Sequence, residues 1–359
     1  MKKKLYWTLG IFLGVAIVII GINALSIYNA VKGTTDEIYV PLPDKDQEAI
    51  TTTNKKLENK EPITILLMGI HKTDDDARGR TDSIILATVN PEDESVNMFS
   101  IPRDTRTEIV GNDSVDKINA AYSFGGTQMA IDTVEQFLDI DIDFYINLQM
   151  EGFADFVDAV DGVDVDNDFE WFDTQGLYKK DYLYKEGEIH LDGDQALGYV
   201  RMRKLDPRGD YGRADRQRQV LTEIINKTAS FSSFTRYQDI LDAVGSNVET
   251  NLSFSDMQYI AKNYYSAGKN IESHQIEGED LDIGDGVSYQ QVSEEEIQKY
   301  HNMITNQIDD ETNYGSNQID DETDHETDQL DDEWNYETDL DNETNYESNQ
   351  LDDETNIYQ

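Results

Sequence analysis

The sequence predicts an α/β fold, a sheet covered by helices on both faces, held between two non-globular ends. Three observations predict it. Short apolar runs of strand character alternate with helical periodicity between residues 62 and 300. Several of those runs are apolar at successive positions, as strands buried on both faces are. Both ends of the 359-residue chain depart from globular composition, which leaves about one large domain between them.

Lys2, Lys3 and Lys4 open the chain, and Leu5 to Val31 follows without a charged residue, with Val15-Ala16-Ile17-Val18-Ile19-Ile20 at its centre. A run of that length spans a bilayer. The lysines before it, and Asp36 and Glu37 after it, predict a cytoplasmic stub at 1–4, a transmembrane anchor at 5–31 and the remainder outside the cell membrane. The alternative is a cleaved signal peptide, whose apolar core is shorter, about 7–15 residues, and ends at a small-x-small site that is not evident here. Residues 32–61, with Pro41, Pro43 and a threonine triplet at 51–53, read as a linker.

Within the body, strands are expected at Ile63 to Gly69, Ser83 to Val89, Val96 to Ile101, Tyr145 to Leu148 and Val163 to Val165. Helices are expected over Met129 to Leu138, Phe153 to Val160, Gly193 to Tyr199, Ala214 to Ala229, Tyr237 to Val244 and Ser255 to Ser266. Beyond residue 300 a motif first seen at Asn306 to Tyr314 returns with a period near eleven, and no Lys or Arg follows Lys299. So little apolar surface does not offset ordering entropy, so 301–359 reads as a disordered acidic tail, a spacer or a salt adaptation. A calcium-binding array is the alternative, but Gly315 is the only glycine there to bend such loops.

Asp and Glu outnumber Lys and Arg 74 to 29, giving a formal net charge of -45 and no cysteine. The charge argues against nucleic acid as a partner. It also suits a protein that must stay hydrated at high salt, a halophilic or salt-tolerant source. Against that background, seven of the 29 cations fall within eighteen positions: Arg201, Arg203, Lys204, Arg208, Arg213, Arg216 and Arg218. Such an island points to a phosphate-type ligand. In an extended segment Arg201 and Arg203 face one side, and on the following helix Arg213, Arg216 and Gln217 share a face. Guanidinium forks match the paired oxygens of a pyrophosphate and stay charged. For any single arginine the competing reading is a surface ion pair.

The motifs then carry a resemblance. They are Gly79-Arg80-Thr81-Asp82-Ser83, Ser100-Ile101-Pro102-Arg103-Asp104-Thr105, Lys117-Ile118-Asn119 with Gly125-Gly126, and Val157-Asp158-Ala159-Val160-Asp161-Gly162-Val163. Leu191-Asp192-Gly193-Asp194-Gln195-Ala196-Leu197-Gly198-Tyr199-Val200-Arg201-Met202-Arg203 and Gly212-Arg213-Ala214-Asp215-Arg216-Gln217 complete the series. In this order they resemble the LytR-CpsA-Psr family, strongly over 62–230 and loosely over 231–300. The resemblance implies a three-layer α/β/α sandwich with a mixed central sheet in an extracytoplasmic catalytic domain, 62–300. It also implies a phosphotransferase that moves an anionic glycopolymer, teichoic acid or capsular, from a polyprenyl pyrophosphate carrier to peptidoglycan.

By the same resemblance Arg80, Arg103, Lys117, Arg201, Arg203, Arg213 and Gln217 bind the pyrophosphate. Asp82 takes a Mg²⁺-ligand or base role, and Asp104 holds Arg103 and its neighbours, a turn or cap being the other reading for Asp104. One departure stands out: the family has an Asp two residues after the glycine ending the first strand, where this chain has His71. An imidazole is a poorer Mg²⁺ ligand than a carboxylate, and Asp74, Asp75 or Asp76 would have to compensate. Phe137, Leu138, Phe153, Phe156, Val157, Val220, Leu221, Ile224 and Ile225 are candidates for the family's prenyl groove or, by default, plain core. Two other functions stay open: a non-catalytic polyprenyl-phosphate-binding regulator of the cell envelope, and a polyprenyl pyrophosphate hydrolase.

Overall fold

A computed structural model of the protein describes residues 29–42, 47–73, 76–150, 152–173, 182–228, 237–245 and 247–308. Most of the expected anchor and the tail beyond residue 308 lie outside them. No helix among the described residues is long and apolar enough to cross a membrane.

The strands in chain order are β1 (Ile63–Thr73), β2 (Asp76–Asn90), β3 (Ser95–Ser100), β4 (Arg106–Ile109), β5 (Ser114–Lys117), β6 (Phe144–Gln149) and β7 (Val163–Asn167). They continue with β8 (Trp171–Phe172), β9 (Leu183–Tyr184), β10 (Gly187–Leu191), β11 (Val248–Thr250), β12 (Asn270–Gln275), β13 (Glu279–Asp282) and β14 (Ser288–Gln291). The helices are α1 (Gln47–Asn59), α2 (Ala120–Leu138), α3 (Phe153–Ala159), α4 (Gly193–Arg201), α5 (Asp210–Thr228), α6 (Tyr237–Gly245), α7 (Phe254–Asn263) and α8 (Glu294–Ile308).

The central sheet has the order β11-β6-β1-β2-β3-β12. It is mixed: β1 runs parallel to β6 and β3 to β12, whereas β2 is antiparallel to both β1 and β3. Consequently β1, β3, β6 and β12 all point the same way and end along one edge, where open α/β sheets build ligand sites.

Alternation divides the strands between two cores. Leu66, Met68 and Ile70 of β1 join Ile84, Leu86 and Phe99, and pack with Ile131, Val134 and Leu138 of α2 and Tyr300 and Ile304 of α8. On the opposite face Ile63 packs with Leu57 of α1, Phe144, Leu252 and Tyr264, while Ile85, Ala87 and Met98 meet Leu221 of α5. Each such side chain, fully buried, contributes about 1.5–3 kcal/mol, so the two helical layers are held chiefly by apolar burial. A satellite cluster joins α3, α4, β7, β10 and the inner face of α5 through Val157, Val163, Leu191, Tyr199 and Val220, with Trp171 stacked on Tyr184 at 3.8 Å.

Two expectations need correction. Residues 32–61 are not simply a linker: residues 29–38 are helical and α1 docks on the sheet. It is polar over most of its length, and polar contacts fasten it as much as apolar ones. Lys56 Nζ lies 3.0 and 3.1 Å from the two oxygens of Asp143, to which Thr53 Oγ1 donates at 3.1 Å and the Thr64 amide at 3.0 Å. The body also does not end at residue 300, which falls inside α8. The loss of cations after Lys299 masks an apolar series, Ile297, Tyr300, Ile304 and Ile308, that keeps helical spacing and packs on α2.

Asp143 is buried, so removing it strands Lys56 and leaves the Thr64 amide without its acceptor. Asp143→Ala is expected to cost about 3 kcal/mol, seen as a lower urea midpoint at unchanged m-value.

Candidate functional site

A bulge in β2 delivers the first site residue. Gly69 pairs with Ser83 and Ile70 with Thr81, which leaves Asp82 as the extra residue of its strand. Strict alternation would send Asp82 into the α2-side core beside Ile84. Instead its Oδ1 accepts from Arg103 Nη1 at 2.5 Å.

Arg103 follows β3 in a turn closed by the Thr105 amide donating to Pro102 O at 3.0 Å. The carboxylate of Asp104 faces cations, 2.8 Å from Lys117 Nζ and 3.7 Å from Arg103 Nε. Its backbone carbonyl accepts from the Gln290 amide of β14 at 2.9 Å, which brings the β13–β14 hairpin against the site.

The second half of the site comes from α4 and α5. Asp192 starts α4 with a capping box, its carboxylate accepting from the Gln195 amide. Arg201 ends that helix, with Nη2 3.5 Å from His71 Nδ1. Here the expectation of an extended Arg201-Met202-Arg203 segment is corrected, because Arg201 is still helical and the extended conformation begins at Met202. Arg203 reaches back to α5, with Nη2 3.0 Å from Asp210 Oδ2, and Arg213 Nη2 lies 2.6 Å from Asp210 Oδ1. Gln217 donates to Val200 O at 3.4 Å.

Arg216 does not join them. It is buried, donating to Asp206 Oδ2 at 2.6 Å, to Tyr199 O at 3.1 Å and to Met202 O. Its charge is spent on tying the end of α4 to the start of α5. The fit there leaves no room: a Cβ on Gly212 would stand 1.8 Å from Asp206 Oδ2.

These parts meet in a cleft lined by Asp82, Arg103, Asp210, Arg213, Gln217 and Gln290, at the carboxyl end of β3. Arg203 adjoins it through Asp210 and Asp104 through Arg103, and Lys117 stands behind them on Asp104. The structure does not bring Arg80 to the cleft wall; it is exposed on β2 opposite His71. Burial lowers the Arg103 pKa, but Asp82, Asp210 and Asp104 outweigh it and the net shift is upward. Burial and the neighbouring Arg103 push Arg213 down. Guanidinium groups are thus crowded into a partly dry cleft, held there by carboxylates, which is the electrostatic character of an anion site.

The comparisons with known proteins point the same way. A model of the LytR_cpsA_psr family matches residues 25–306. The chain belongs to the LytR-CpsA-Psr family. It is 47% identical over 310 residues to a polyisoprenyl-teichoic acid–peptidoglycan teichoic acid transferase TagU of Bacillus cereus strain AH820, covering 86% of this chain and 99% of the relative. The crystal structure of B. subtilis TagU is 40% identical with a TM-score of 0.54, covering 69% of this chain and 97% of that one. TagT bound to LIIa-WTA is 30% identical with a TM-score of 0.60, covering 76% and 100%.

Of the residues assigned through the LytR-CpsA-Psr resemblance, Asp82, Arg103, Arg213 and Gln217 share the cleft, and Asp104, Lys117 and Arg203 support it. Arg201 stands apart on His71, where the resemblance led to an expected Asp. Asp74 and Asp75, offered as substitutes, lie outside the described residues, as does the side chain of Asp76. The groove candidates do not form one lining: Phe137 and Leu138 belong to the α2-side core, Leu221 to the sheet's other face, and Phe153, Val157, Val220 and Ile224 to the satellite cluster. Sequence reasoning missed Asp210, which links two site arginines. Its place three residues before Arg213 was a visible signal, but an acidic first-turn residue reads equally as a helix-dipole partner.

Arg216 and Asp206 make a buried pair whose loss should be felt by stability. Arg216→Met is expected to cost about 3–5 kcal/mol, measured as a urea midpoint shift. Burial pushes the Asp206 carboxyl up, but Arg216 and Arg208 more than offset it, and its pKa is lowered. The stability it supplies is therefore present above the ordinary carboxylate value of about 4 and is lost as pH falls through the depressed folded value. Arg216→Met should flatten that acid limb of the stability–pH profile.

Proposed function

We propose that this protein transfers a teichoic-acid-type glycopolymer from a polyprenyl pyrophosphate carrier to a peptidoglycan hydroxyl. The acceptor oxygen attacks the phosphorus next to the glycan and the bond from that phosphorus to the bridging oxygen breaks. A phosphodiester forms, polyprenyl phosphate leaves with the electron pair, and the acceptor's hydroxyl proton passes to a base, the role Asp82 is placed for. The reading rests on the cleft in which Arg103 and Arg213 face one space beside Asp82. The names of the TagU relatives and of TagT bound to LIIa-WTA support it.

The arginines spread the charge of the transferred phosphate, and their fixed positions mean no reorganisation is needed as charge develops. Asp82 is the carboxylate best placed to meet the acceptor hydroxyl or a cation. Among the described residues it is paired with Arg103 alone and its side chain is 31% exposed, whereas Asp210 bridges two arginines and is 14% exposed.

A Mg²⁺ would suit this donor set in one mode. Among the described residues no three carboxylates or histidines gather into a metal cage, but Mg²⁺ is commonly held by one or two carboxylates plus substrate phosphates. Asp82 would hold it, and when bound the ion would withdraw charge from the phosphate oxygens. The apolar run at 5–31 supports a single-pass anchor in the cell membrane, with the catalytic domain outside where carrier and wall meet.

A second reading, a polyprenyl-phosphate binder without turnover, is favoured by His71, which faces Arg201 in place of a carboxylate.

The test supplies the full-length protein, in Mg²⁺ buffer over a range of salt, with a short-chain polyprenyl-pyrophosphate glycan and peptidoglycan oligomers, and identifies products by mass spectrometry. The expected product is a phosphodiester-linked glycan–peptidoglycan, reduced at least about 100-fold by Asp82→Ala in a folded protein. Arg201→Ala with Arg203→Ala is expected to reduce transfer as well. Binding without product would favour the binder, and glycan phosphate released to water the hydrolase.

A further inference from the structure

Asp210 is the acidic residue of the cleft that no motif assigned. It sits in the first turn of α5, with one oxygen 2.6 Å from Arg213 and the other 3.0 Å from Arg203. It also contributes to raising the pKa of Arg103 across the cleft. Yet the contact is poorly made: Oδ1, buried, has no hydrogen bond of acceptable geometry even though a guanidinium stands beside it. A carboxylate kept only as a structural brace would be aligned with its partner, as Asp206 is with Arg216 at 2.6 Å.

The neighbours explain why a carboxylate stands there at all. Arg213 is nearly buried, and its pKa is pushed down by burial first and then by Arg103, with Arg203 adding to it. Without Asp210 the nearly buried guanidinium of Arg213 would lose its paired carboxylate while keeping Arg103 and the half-exposed Arg203 as cationic neighbours, which is costly. A phosphate group entering the cleft would supply that negative charge itself and meet Asp210 as a like charge.

We infer that Asp210 is a resident counter-anion, a positioning residue that holds Arg203 and Arg213 for the pyrophosphate and then opposes it, weakening ground-state binding so that the phosphate product leaves. The inference rests on the phosphate-site reading above. It assigns to Asp210 an effect on affinity opposite in sign to that of Arg203 and Arg213, the arginines it holds.

Inorganic pyrophosphate is the probe, titrated calorimetrically into the full-length protein at fixed salt. Asp210→Asn, nearly isosteric, is expected to tighten binding at least fivefold and to lower kcat for transfer, with KM falling alongside it. Asp210→Glu is expected to stay within twofold of the wild-type affinity. Asp210→Ala has the same expected sign as the amide and serves if the amide does not fold. Weaker or unchanged pyrophosphate binding by a folded Asp210→Asn or Asp210→Ala protein would overturn the counter-anion role while leaving the site reading standing. Absence of pyrophosphate binding by the wild-type protein would overturn both.

Discussion

The geometry of the site depends on one buried charge. Arg216 sends its three nitrogens to the carbonyls of Tyr199 and Met202 and to the Asp206 carboxylate, so a single side chain terminates α4, shapes the loop after it and seats the start of α5. Everything at the cationic end of the cleft hangs from those pieces: Arg203 from the loop, and Asp210, Arg213 and Gln217 from the helix. A guanidinium that deep is tolerable only with its donors met and its charge paired, and here the ligands are the very segments it fixes. Gly212 completes the arrangement by letting the helix backbone approach Asp206 more closely than any side chain would allow.

The cationic island therefore divides by task. Arg216 and Arg218 are buried and structural, the latter donating to Ser100 Oγ at 2.6 Å and Gln275 Oε1 at 2.8 Å beneath the cleft, which joins α5 to β3 and β12. Arg208 fastens the loop by pairing with Asp168 at 2.9 Å and Asp215 at 2.6 Å. Arg201 stands on His71, and Arg203 and Arg213 address the cleft, where Arg103 joins them from the turn after β3. In a chain with so many carboxylates the structural arginines are satisfied locally. The same surplus supplies Asp82, Asp104 and Asp210 as partners within the site.

The strand and helix order was legible because buried strands carry continuous apolar runs, as β1, β2 and β3 do, and helices a 3.6-residue period, as α4 does. The motif residues of the cleft were legible too, through the resemblance rather than through spacing. What escaped the sequence is instructive. Asp82 reaches Arg103 through a bulge, and a bulge leaves no mark in a periodicity count because the extra residue is recognisable only against the partner strand. α1 escaped because Asp143, far away in sequence, fastens it through Lys56 and Thr53. Arg201 and Arg203 were read as a strand pair, whereas the α4 helix continues through Arg201; a short segment between a helix and a loop offers too few residues for either period to declare itself.

A site that handles an anion before and after reaction faces a particular constraint. Arginines alone would bind carrier-linked glycan, transition state and released phosphate alike, and uniform binding does not speed the chemical step. The cleft instead keeps carboxylates among its cations, so the empty site is close to charge-balanced and an incoming phosphate must compete for each guanidinium. Ground-state affinity is held down by that competition. The donors stay in place for the moment when charge shifts onto the transferred phosphate and the leaving oxygen, where their fixed geometry has most effect. Asp210 stands in this balance on the α5 side with two arginine partners, and Asp82 on the β2 side with one, so Asp82 is the carboxylate less committed to the cations.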